Sequence, residues 1–215
     1  MQGANKYTHV IWDWNGTLFN DVEWCVKVIN KMLGSRDFRL LSSVAEYHGV
    51  FCFPVIEYYK KIGFDFETEP FECLAEEYMA LYHVGKTGGC RLDENAEFVL
   101  AEIQKKGIEQ SILSASETSN LLSQIGEFDI VCYFDAILGL SDIYAKSKLD
   151  IGLDYIVKKR IKNVLLIGDT EHDYEVARAL GADCLLVAAG HQSKERLMAC
   201  GAPVLDSLLQ IVEYV

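Results

Sequence analysis

The feature that most constrains the fold is a series of short, continuous apolar runs, each followed by a polar residue or a small-residue turn. Runs this short and continuous are typical of parallel strands that are buried on both faces of a sheet. They occupy residues 10–12, 112–113, 136–138, 164–167 and 185–187.

Segments with apolar residues at helical spacing lie between these runs. They cover residues 93–106, a stretch that follows a cap at Ser147, and residues 172–180. Alternating strands and helices predict an α/β fold with a doubly wound parallel sheet, in which ligands bind at the carboxyl ends of the strands.

Residues 20–87 interrupt this alternation, because they separate the first two strands by far more than one crossover helix needs. The segment is rich in aromatic residues and predicts helices at 21–33, 54–62 and 69–84. We interpret it as a small helical domain, 20–87, inserted into a core formed by 1–19 and 88–215. The alternative is that these helices cover the flank of the main sheet.

The charge balance restricts the partners. A formal net charge of -12 disfavours nucleic acid and anionic membrane surfaces. An acidic enzyme for an anionic substrate needs a metal ion or a few lysines in its cleft. No apolar run approaches the ~20 residues that cross a bilayer, and the seven cysteines form no C-x-x-C pair. We therefore expect a cytoplasmic protein with reduced thiols, as a monomer or homodimer.

Residues 13–18, Asp-Trp-Asn-Gly-Thr-Leu, directly follow the first apolar run. An aspartate at the end of a strand and before a glycine turn presents its carboxylate in the crevice of the sheet. On its own, Asp13 could equally cap the backbone amides of the turn.

Residues 168–173, Gly-Asp-Thr-Glu-His-Asp, follow another run. They place Asp169 at the end of a strand and Asp173 near the start of a helix. Such carboxylates can hold a hard divalent cation. The alternative is a cluster that caps the first amides of the helix.

Two weaker features complete the set. Ser114 follows the run at 112–113 and precedes Ala115, so its hydroxyl and the nearby amides can bind phosphate. Lys146 and Lys148 flank Ser147 just before a helix, and either could supply the required cation.

In this order, the four features resemble those of the haloacid-dehalogenase superfamily. The Asp-x-Asp-x-Thr motif of that family is matched by Asp13, Asn15 and Thr17, and its Gly-Asp-x-x-x-Asp motif by residues 168–173. Ser114 matches the Ser or Thr that ends a strand, and Lys148, or Lys146, matches the lysine before a helix. The inserted helices resemble the cap of the phosphoglycolate-phosphatase-like subgroup.

The resemblance implies an Mg²⁺-dependent phosphohydrolase that cleaves a small phosphorylated metabolite. Asp13 would be the nucleophile that forms an aspartyl-phosphate. The implied metal ligands are Asp13, the backbone carbonyl of Asn15, Asp169 and, in support, Asp173. The implied phosphate-binding residues are Ser114, Ala115 and Lys148.

Asn15 departs from the family pattern, in which an Asp at this position protonates the leaving alcohol. An amide cannot exchange a proton, and losing this help costs ~10²–10⁴ in rate. Three readings follow: a leaving group that needs little protonation, a substitute proton carrier such as His172, or a slow or inactive protein that binds a phosphorylated ligand. The dehalogenase branch also lacks this Asp but does not need the metal carboxylates that are present here, so it ranks lower. If the proton carrier is the only deficit, Asn15→Asp should raise turnover of alkyl phosphates more than that of p-nitrophenyl phosphate.

Overall fold

A computed structural model describes residues 5–84, 89–145 and 147–215. Six strands of this part of the chain form one parallel sheet in the order β5-β4-β1-β6-β7-β8, and β2 and β3 form a separate antiparallel pair. The strands are β1 (His9–Trp12), β2 (Phe19–Asn20), β3 (Arg91–Leu92), β4 (Glu109–Glu117), β5 (Ala136–Leu140), β6 (Val164–Gly168), β7 (Asp183–Val187) and β8 (Val204–Leu205).

Helices flank the sheet and fill the inserted segment. Those of the described residues are α1 (Val22–Gly34), α2 (Val44–Val50), α3 (Val55–Lys61), α4 (Phe71–Val84), α5 (Ala96–Lys105), α6 (Thr118–Ile125), α7 (Leu149–Lys159), α8 (Glu171–Leu180) and α9 (Lys194–Met198). Two 3₁₀ helices, Val131–Tyr133 and Leu208–Glu213, complete the chain. Across the described ranges, none of the helices has both the length and the apolar character needed to cross a membrane.

Strand β1 lies in the middle of the sheet, and its register determines where the site forms. Trp12, its last residue, is opposite Ile112 of β4 and Ile167 of β6. The residues that come next after these paired positions therefore meet at one edge of the sheet, as the parallel arrangement requires. The predicted α/β doubly wound sheet with a helical cap is confirmed.

Helices α1 to α4 have an apolar core of their own. Their buried residues, which include Ile29, Met32, Tyr47 and Leu74, form a cluster distinct from the two that lie against the faces of the sheet. We call α1 to α4 the cap. The boundaries 1–19, 20–87 and 88–215 stay a prediction, and the junction at 87/88 lies outside the described residues.

Four details differ from the sequence-based expectations. Helix α2 was not predicted, because it buries Tyr47 alone among its residues and contains Gly49, so it shows no apolar stripe at helical spacing. The strands β2, β3 and β8 were not predicted either, because two residues are too few for a pattern. Strand β4 continues past Ser114 to Glu117, with a shift of register after Leu113. Lys148 occupies the N-cap position of α7, whereas Ser147 accepts a hydrogen bond from the Leu149 amide at 3.2 Å.

Candidate active site

Asp13 directly follows β1 and is held by the main chain. Its backbone N–H donates to the Ile167 carbonyl at 2.8 Å, which continues the pairing of β1 with β6. The residue is 8 % exposed. Oδ1 of Asp13 accepts a hydrogen bond from the Lys148 ammonium, and Oδ2 has a longer contact of 3.5 Å with the Thr17 hydroxyl. Oδ2 is therefore the freer of the two carboxylate oxygens.

Lys148 joins Asp13 to Asp173. Its Nζ also lies 2.6 Å from Oδ1 of Asp173, and the residue is 1 % exposed. A buried ammonium is retained only when it is paired, and these two carboxylates pair it. Lys146, the alternative lysine, lies outside the described residues.

The two carboxylates that share Lys148 differ in acidity. Burial raises the pKa of Asp13 well above its usual value, and Lys148 offsets this only in part. Burial also opposes ionisation of Asp173, yet the pKa of Asp173 falls because Lys148 and the Thr170 hydroxyl stabilise its anion. Burial would lower the pKa of Lys148, but Asp13 and Asp173 raise it above its usual value. Lys148 therefore remains protonated.

Asp169 follows β6 and lies in a closely packed niche. Its Oδ1 accepts a hydrogen bond from the Thr17 hydroxyl at 3.1 Å, and its Oδ2 accepts one from the His191 amide at 2.6 Å. A Cβ atom on Gly16 would lie 2.3 Å from Oδ2, and one on Gly190 would lie 2.1 Å from it. Both positions therefore need glycine, and Gly16 also has a φ of +79°. Burial and the Asp173 charge raise the pKa of Asp169 to about 6, against the opposing charge of His191.

Asp173 caps the helix that carries it. Its Oδ2 accepts hydrogen bonds from the Asp169 and Thr170 amides at 3.1 and 2.9 Å and from the Thr170 hydroxyl at 2.6 Å. Thr170 and Asp173 form a capping box at the start of α8. The capping role and a place in the carboxylate cluster, which were alternatives in the sequence, are thus compatible.

The three carboxylates can hold a divalent cation. One oxygen each of Asp13, Asp169 and Asp173 lies within 4.8 Å of the others, and all three residues are buried. Lys148 offsets one of the three negative charges. The remaining negative charge and the all-oxygen donor set fit a hard dication such as Mg²⁺.

Ser114 and Ala115 line the same cavity as Asp13, Lys148 and Asp169. Ser114 is 1 % exposed, and its Oγ accepts a hydrogen bond from the Ser116 amide at 3.1 Å. The shift of register in β4 takes residues 114–116 out of the regular ladder, so their polar groups are not all used within the sheet.

The side chain of Asn15 is held at both ends. Its Oδ1 accepts a hydrogen bond from the Ser116 hydroxyl at 2.7 Å, and its Nδ2 donates to Oδ2 of Asp21 at 2.9 Å. The amide at position 15 therefore has a structural reason, because its N–H can donate to the Asp21 carboxylate, whereas an ionised aspartate has no donor. An aspartate here would face a second carboxylate.

Asp21 and His191 form a second buried charged pair. His191 Nε2 lies 3.2 Å from Oδ1 of Asp21, and its Nδ1 lies 2.9 Å from the Tyr47 hydroxyl of the cap. Burial alone would lower the pKa of His191, but the Asp21 carboxylate raises it to about 9. Burial likewise opposes ionisation of Asp21, yet the His191 charge lowers its pKa. The pair links the core to the cap.

Sequence reasoning missed both members of this pair. His191 lies four residues past the run at 185–187, so a strand-end criterion extended by a few residues would have selected it. Asp21 precedes α1 as an ordinary N-cap would, but its carboxylate makes no cap hydrogen bond and also accepts one from Tyr82 at 2.7 Å. The pairing of the Asp21 carboxylate with His191 and Tyr82 can therefore be seen only in the structure.

His172, the substitute proton carrier considered from the sequence, also lines the cavity. Its ring stacks on Phe53 with centroids 4.8 Å apart. Burial and the charge of Lys148 lower its pKa, so the ring is neutral near pH 7. Its Nε2 has no hydrogen-bond partner among the described residues.

Comparisons with known proteins place these residues in a family. A family model described as haloacid dehalogenase-like hydrolase matches residues 10–187. A phosphoglycolate phosphatase from Photorhabdus laumondii is 25 % identical over 122 residues, which are 54 % of this chain and 51 % of that protein. The chain thus matches about half the length of this curated relative.

Solved structures share the fold over almost the whole chain. A haloacid dehalogenase-like hydrolase from Streptococcus pneumoniae has a TM-score of 0.83 at 18 % identity, with 97 % of this chain and 98 % of that chain covered. A predicted phosphatase from Clostridium acetobutylicum has a TM-score of 0.78 at 23 % identity, with coverages of 96 % and 97 %. Since the family model spans most of the sequence and the fold agrees, the chain belongs to the haloacid dehalogenase-like hydrolase family.

Proposed function

We propose that the chain is an Mg²⁺-dependent phosphohydrolase that cleaves a small phosphorylated metabolite through an aspartyl-phosphate on Asp13. The observation that carries this proposal is the position of Asp13 at the end of β1, with its carboxylate paired to the buried ammonium of Lys148 in a shared cavity. Asp169, Asp173 and Ser114 line the same cavity.

In the first step, Oδ2 of Asp13 attacks the phosphorus, and the bond between phosphorus and the leaving oxygen breaks. The electron pair of the broken bond leaves with the oxygen of the leaving group. Lys148 and Ser114 hold the oxygens of the transferring phosphoryl group, which carry the charge. The cap residues that line the cavity limit the access of water during this step.

In the second step, water attacks the phosphorus of the acyl-phosphate. The Asp13 carboxylate is regenerated and inorganic phosphate leaves. The net reaction consumes one water and yields one alcohol, whose proton derives from that water.

Asp13, the Asn15 carbonyl and Asp169 would hold the metal ion. Asp173 supports the cluster through Lys148 and the amides at the start of α8. When bound, Mg²⁺ would offset the repulsion between the Asp13 carboxylate and the incoming phosphate dianion.

A test of this function is the release of phosphate from p-nitrophenyl phosphate, a substrate whose leaving group needs little protonation. We expect activity that vanishes in EDTA, returns with Mg²⁺, and falls roughly 10⁴-fold or more in Asp13→Asn. Asp154→Asn is the matched control, because this carboxylate is 58 % exposed in a surface ion pair with Lys158. Near-normal turnover by a folded Asp13→Asn protein, as judged by circular dichroism, would rule out this mechanism.

A second candidate function is the binding of a phosphorylated ligand with little or no turnover. The observation that favours it is Asn15, whose amide is committed to Asp21 and Ser116 and cannot exchange a proton. A chain that binds phosphate monoesters but is inert on p-nitrophenyl phosphate in Mg²⁺ would support this alternative.

A further inference from the structure

The cavity above Asp13 has two chemically different faces. The core face consists of Asp13, Ser114, Lys148, Asp169 and Asp173. The cap face consists of aromatic and apolar residues that line the same cavity, namely Phe53, Val55, Tyr58, Phe71, Tyr78 and Met79. A phosphate on the core face would direct its leaving group towards the cap face.

We propose that the substrate is a phosphate monoester of an uncharged phenol, which places its ring against the cap face. This inference rests on the proposed phosphohydrolase function and specifies its substrate class. Four observations support it, and each concerns a different property of the leaving group.

The first property is acidity. Asn15 cannot protonate a leaving oxygen, and its side chain is already bonded at both ends. A phenolate leaves with little protonation, whereas an alkoxide needs a proton. A phenol ester therefore tolerates an amide at this position and an alkyl ester does not.

The second property is charge. The described residues that line the cavity include three cationic or basic side chains, those of Lys148, His172 and His191. Lys148 is paired with Asp13 and Asp173, and His191 is paired with Asp21. The His172 ring is stacked on Phe53, and its Nδ1 lies 3.8 Å from Oε2 of Glu175. Among the described lining residues, none is thus left to neutralise a carboxylate or second phosphate on the substrate.

The third property is size and shape. In the arrangement of cap and core seen here, the cavity has a volume of about 170 Å³. An apolar cavity of about 150 Å³ accepts a benzene ring, so a cavity of this size that also holds the phosphoryl group limits the leaving group to about one ring. Flat rings on the cap face can contact a ring-sized leaving group by stacking or by edge-to-face packing.

The fourth property is hydrogen bonding. The Tyr58 hydroxyl is buried and has no partner among the described residues, and the same holds for Nε2 of His172. Both residues line the cavity. A buried polar group without a partner is costly, so a neutral polar substituent on the ring would relieve that cost.

The charge rule can be tested with two esters, 4-(carbamoylmethyl)phenyl phosphate and 4-(carboxymethyl)phenyl phosphate. The methylene group keeps the acidities of the two phenols close, so the esters differ mainly in one negative charge. We expect kcat/KM to be roughly tenfold or more higher for the amide, because the carboxylate would lie in the cavity without a counterion. Equal values, or a preference for the carboxylate, would overturn the inference.

A new cation on the cap face should change this ratio. Met79 is half-buried, so a lysine there can direct its ammonium towards the cavity or the solvent. We expect Met79→Lys to narrow or reverse the preference, and Met79→Gln, the matched neutral control, to preserve it. An identical ratio in both variants would contradict the assignment of the leaving group to the cap face.

Benzyl phosphate separates recognition of the ring from the need for a proton, since it retains the ring but releases a poor leaving group. We expect it to compete with phenyl phosphate at a similar concentration and to turn over roughly 10²–10⁴-fold more slowly. Equal turnover of the two esters would overturn the requirement for a phenol. If no monoester, including p-nitrophenyl phosphate, is hydrolysed in Mg²⁺, the proposed function fails as well; hydrolysis with the opposite preference overturns the substrate class alone.

Discussion

The core face and the cap face of the cavity differ in how completely their polar groups are paired. On the core face, each of the carboxylates of Asp13, Asp169 and Asp173 has an identified donor. On the cap face, the polar atom of Tyr58 is buried without a partner among the described residues. This contrast indicates that the polar groups of the core face are paired before a ligand binds, whereas a ligand supplies the missing hydrogen-bond partner on the cap face.

The contrast also separates the residues that carry out the reaction from those that select the substrate. The core face is built from the ends of β1, β4 and β6, which the register of the sheet brings together, and from the starts of α7 and α8. The cap face is built from helices with their own apolar core. Changes on the core face should therefore affect all substrates alike, and changes on the cap face should affect the choice among them.

Among the changes that test this comparison, Lys148→Met should have the largest effect on stability. The change leaves Asp13 and Asp173 buried without their ammonium, which costs roughly 3–5 kcal/mol of stability when no metal is bound. Turnover of every monoester should fall roughly 10²–10³-fold, because the transferring phosphoryl group loses its cation.

Lys158→Met is the matched control for that change, because Lys158 lies on the same helix, α7, and is 72 % exposed. Urea unfolding in EDTA and steady-state assays in Mg²⁺ measure the two effects. A Lys148→Met protein as stable and as active as Lys158→Met would show that the core face does not depend on this ion pair.

The pair between Asp21 and His191 should make stability depend on pH. The pKa of His191 is raised to about 9 in the folded state, against an ordinary value of about 6.5 in the unfolded chain. Its contribution is therefore complete below pH 6.5 and is lost as the pH rises through about 9. The loss amounts to roughly 3 kcal/mol for a buried group.

Unfolding free energies measured in EDTA between pH 6.5 and 9 test this expectation. His191→Gln should reduce the downward slope, because glutamine keeps hydrogen bonding without the charge; the raised pKa of Asp13 gives a slope of the same sign that both proteins share. If the wild-type protein and His191→Gln show the same slope, another group is responsible.

These two predictions also show what the sequence could establish. Asp13, Asp169 and Ser114 could be located because each follows an apolar run, and parallel strands bring their ends together. Asp21 could not be identified, because an aspartate before a helix is ordinarily a cap and only the fold turns its carboxylate towards His191. The cap face could not be identified from the sequence either. Aromatic residues indicate an apolar core, and the sequence does not distinguish those that line a cavity from those that are packed in the core.

Asn15→Asp should have a smaller effect that reveals why the amide is present. The sequence alone predicts faster turnover of alkyl phosphates. The structure adds a cost, because the new carboxylate would face Oδ2 of Asp21 at the present 2.9 Å separation. We expect a loss of roughly 1–3 kcal/mol of stability, and a gain on alkyl phosphates that this repulsion limits.

Combining Asn15→Asp with Asp21→Asn restores one donor and one acceptor across the contact. The double variant should be more stable than the sum of the single changes predicts, by roughly 0.5–3 kcal/mol. Additive effects would mean that the amide of Asn15 and the carboxylate of Asp21 do not interact in solution.

The smallest effect should come from the cap face. Tyr58→Phe removes a buried hydroxyl without a partner among the described residues, so stability should stay the same or rise by up to about 1 kcal/mol. Tyr82→Phe is the contrasting variant, because its hydroxyl donates to Asp21 and accepts from Gln124. It should lose roughly 1–3 kcal/mol. Equal losses in thermal unfolding would show that Tyr58 has a partner after all.

The most direct test of the account is the identification of the residue that carries the phosphoryl group. Borohydride reduces an acyl-phosphate to an alcohol, so protein quenched during turnover of phenyl phosphate in Mg²⁺ should contain homoserine in place of Asp13. Peptide mass spectrometry should detect this conversion in the wild-type protein and not in Asp13→Asn. Phosphate release without any modification of Asp13, or with homoserine at another aspartate, would contradict the central claim.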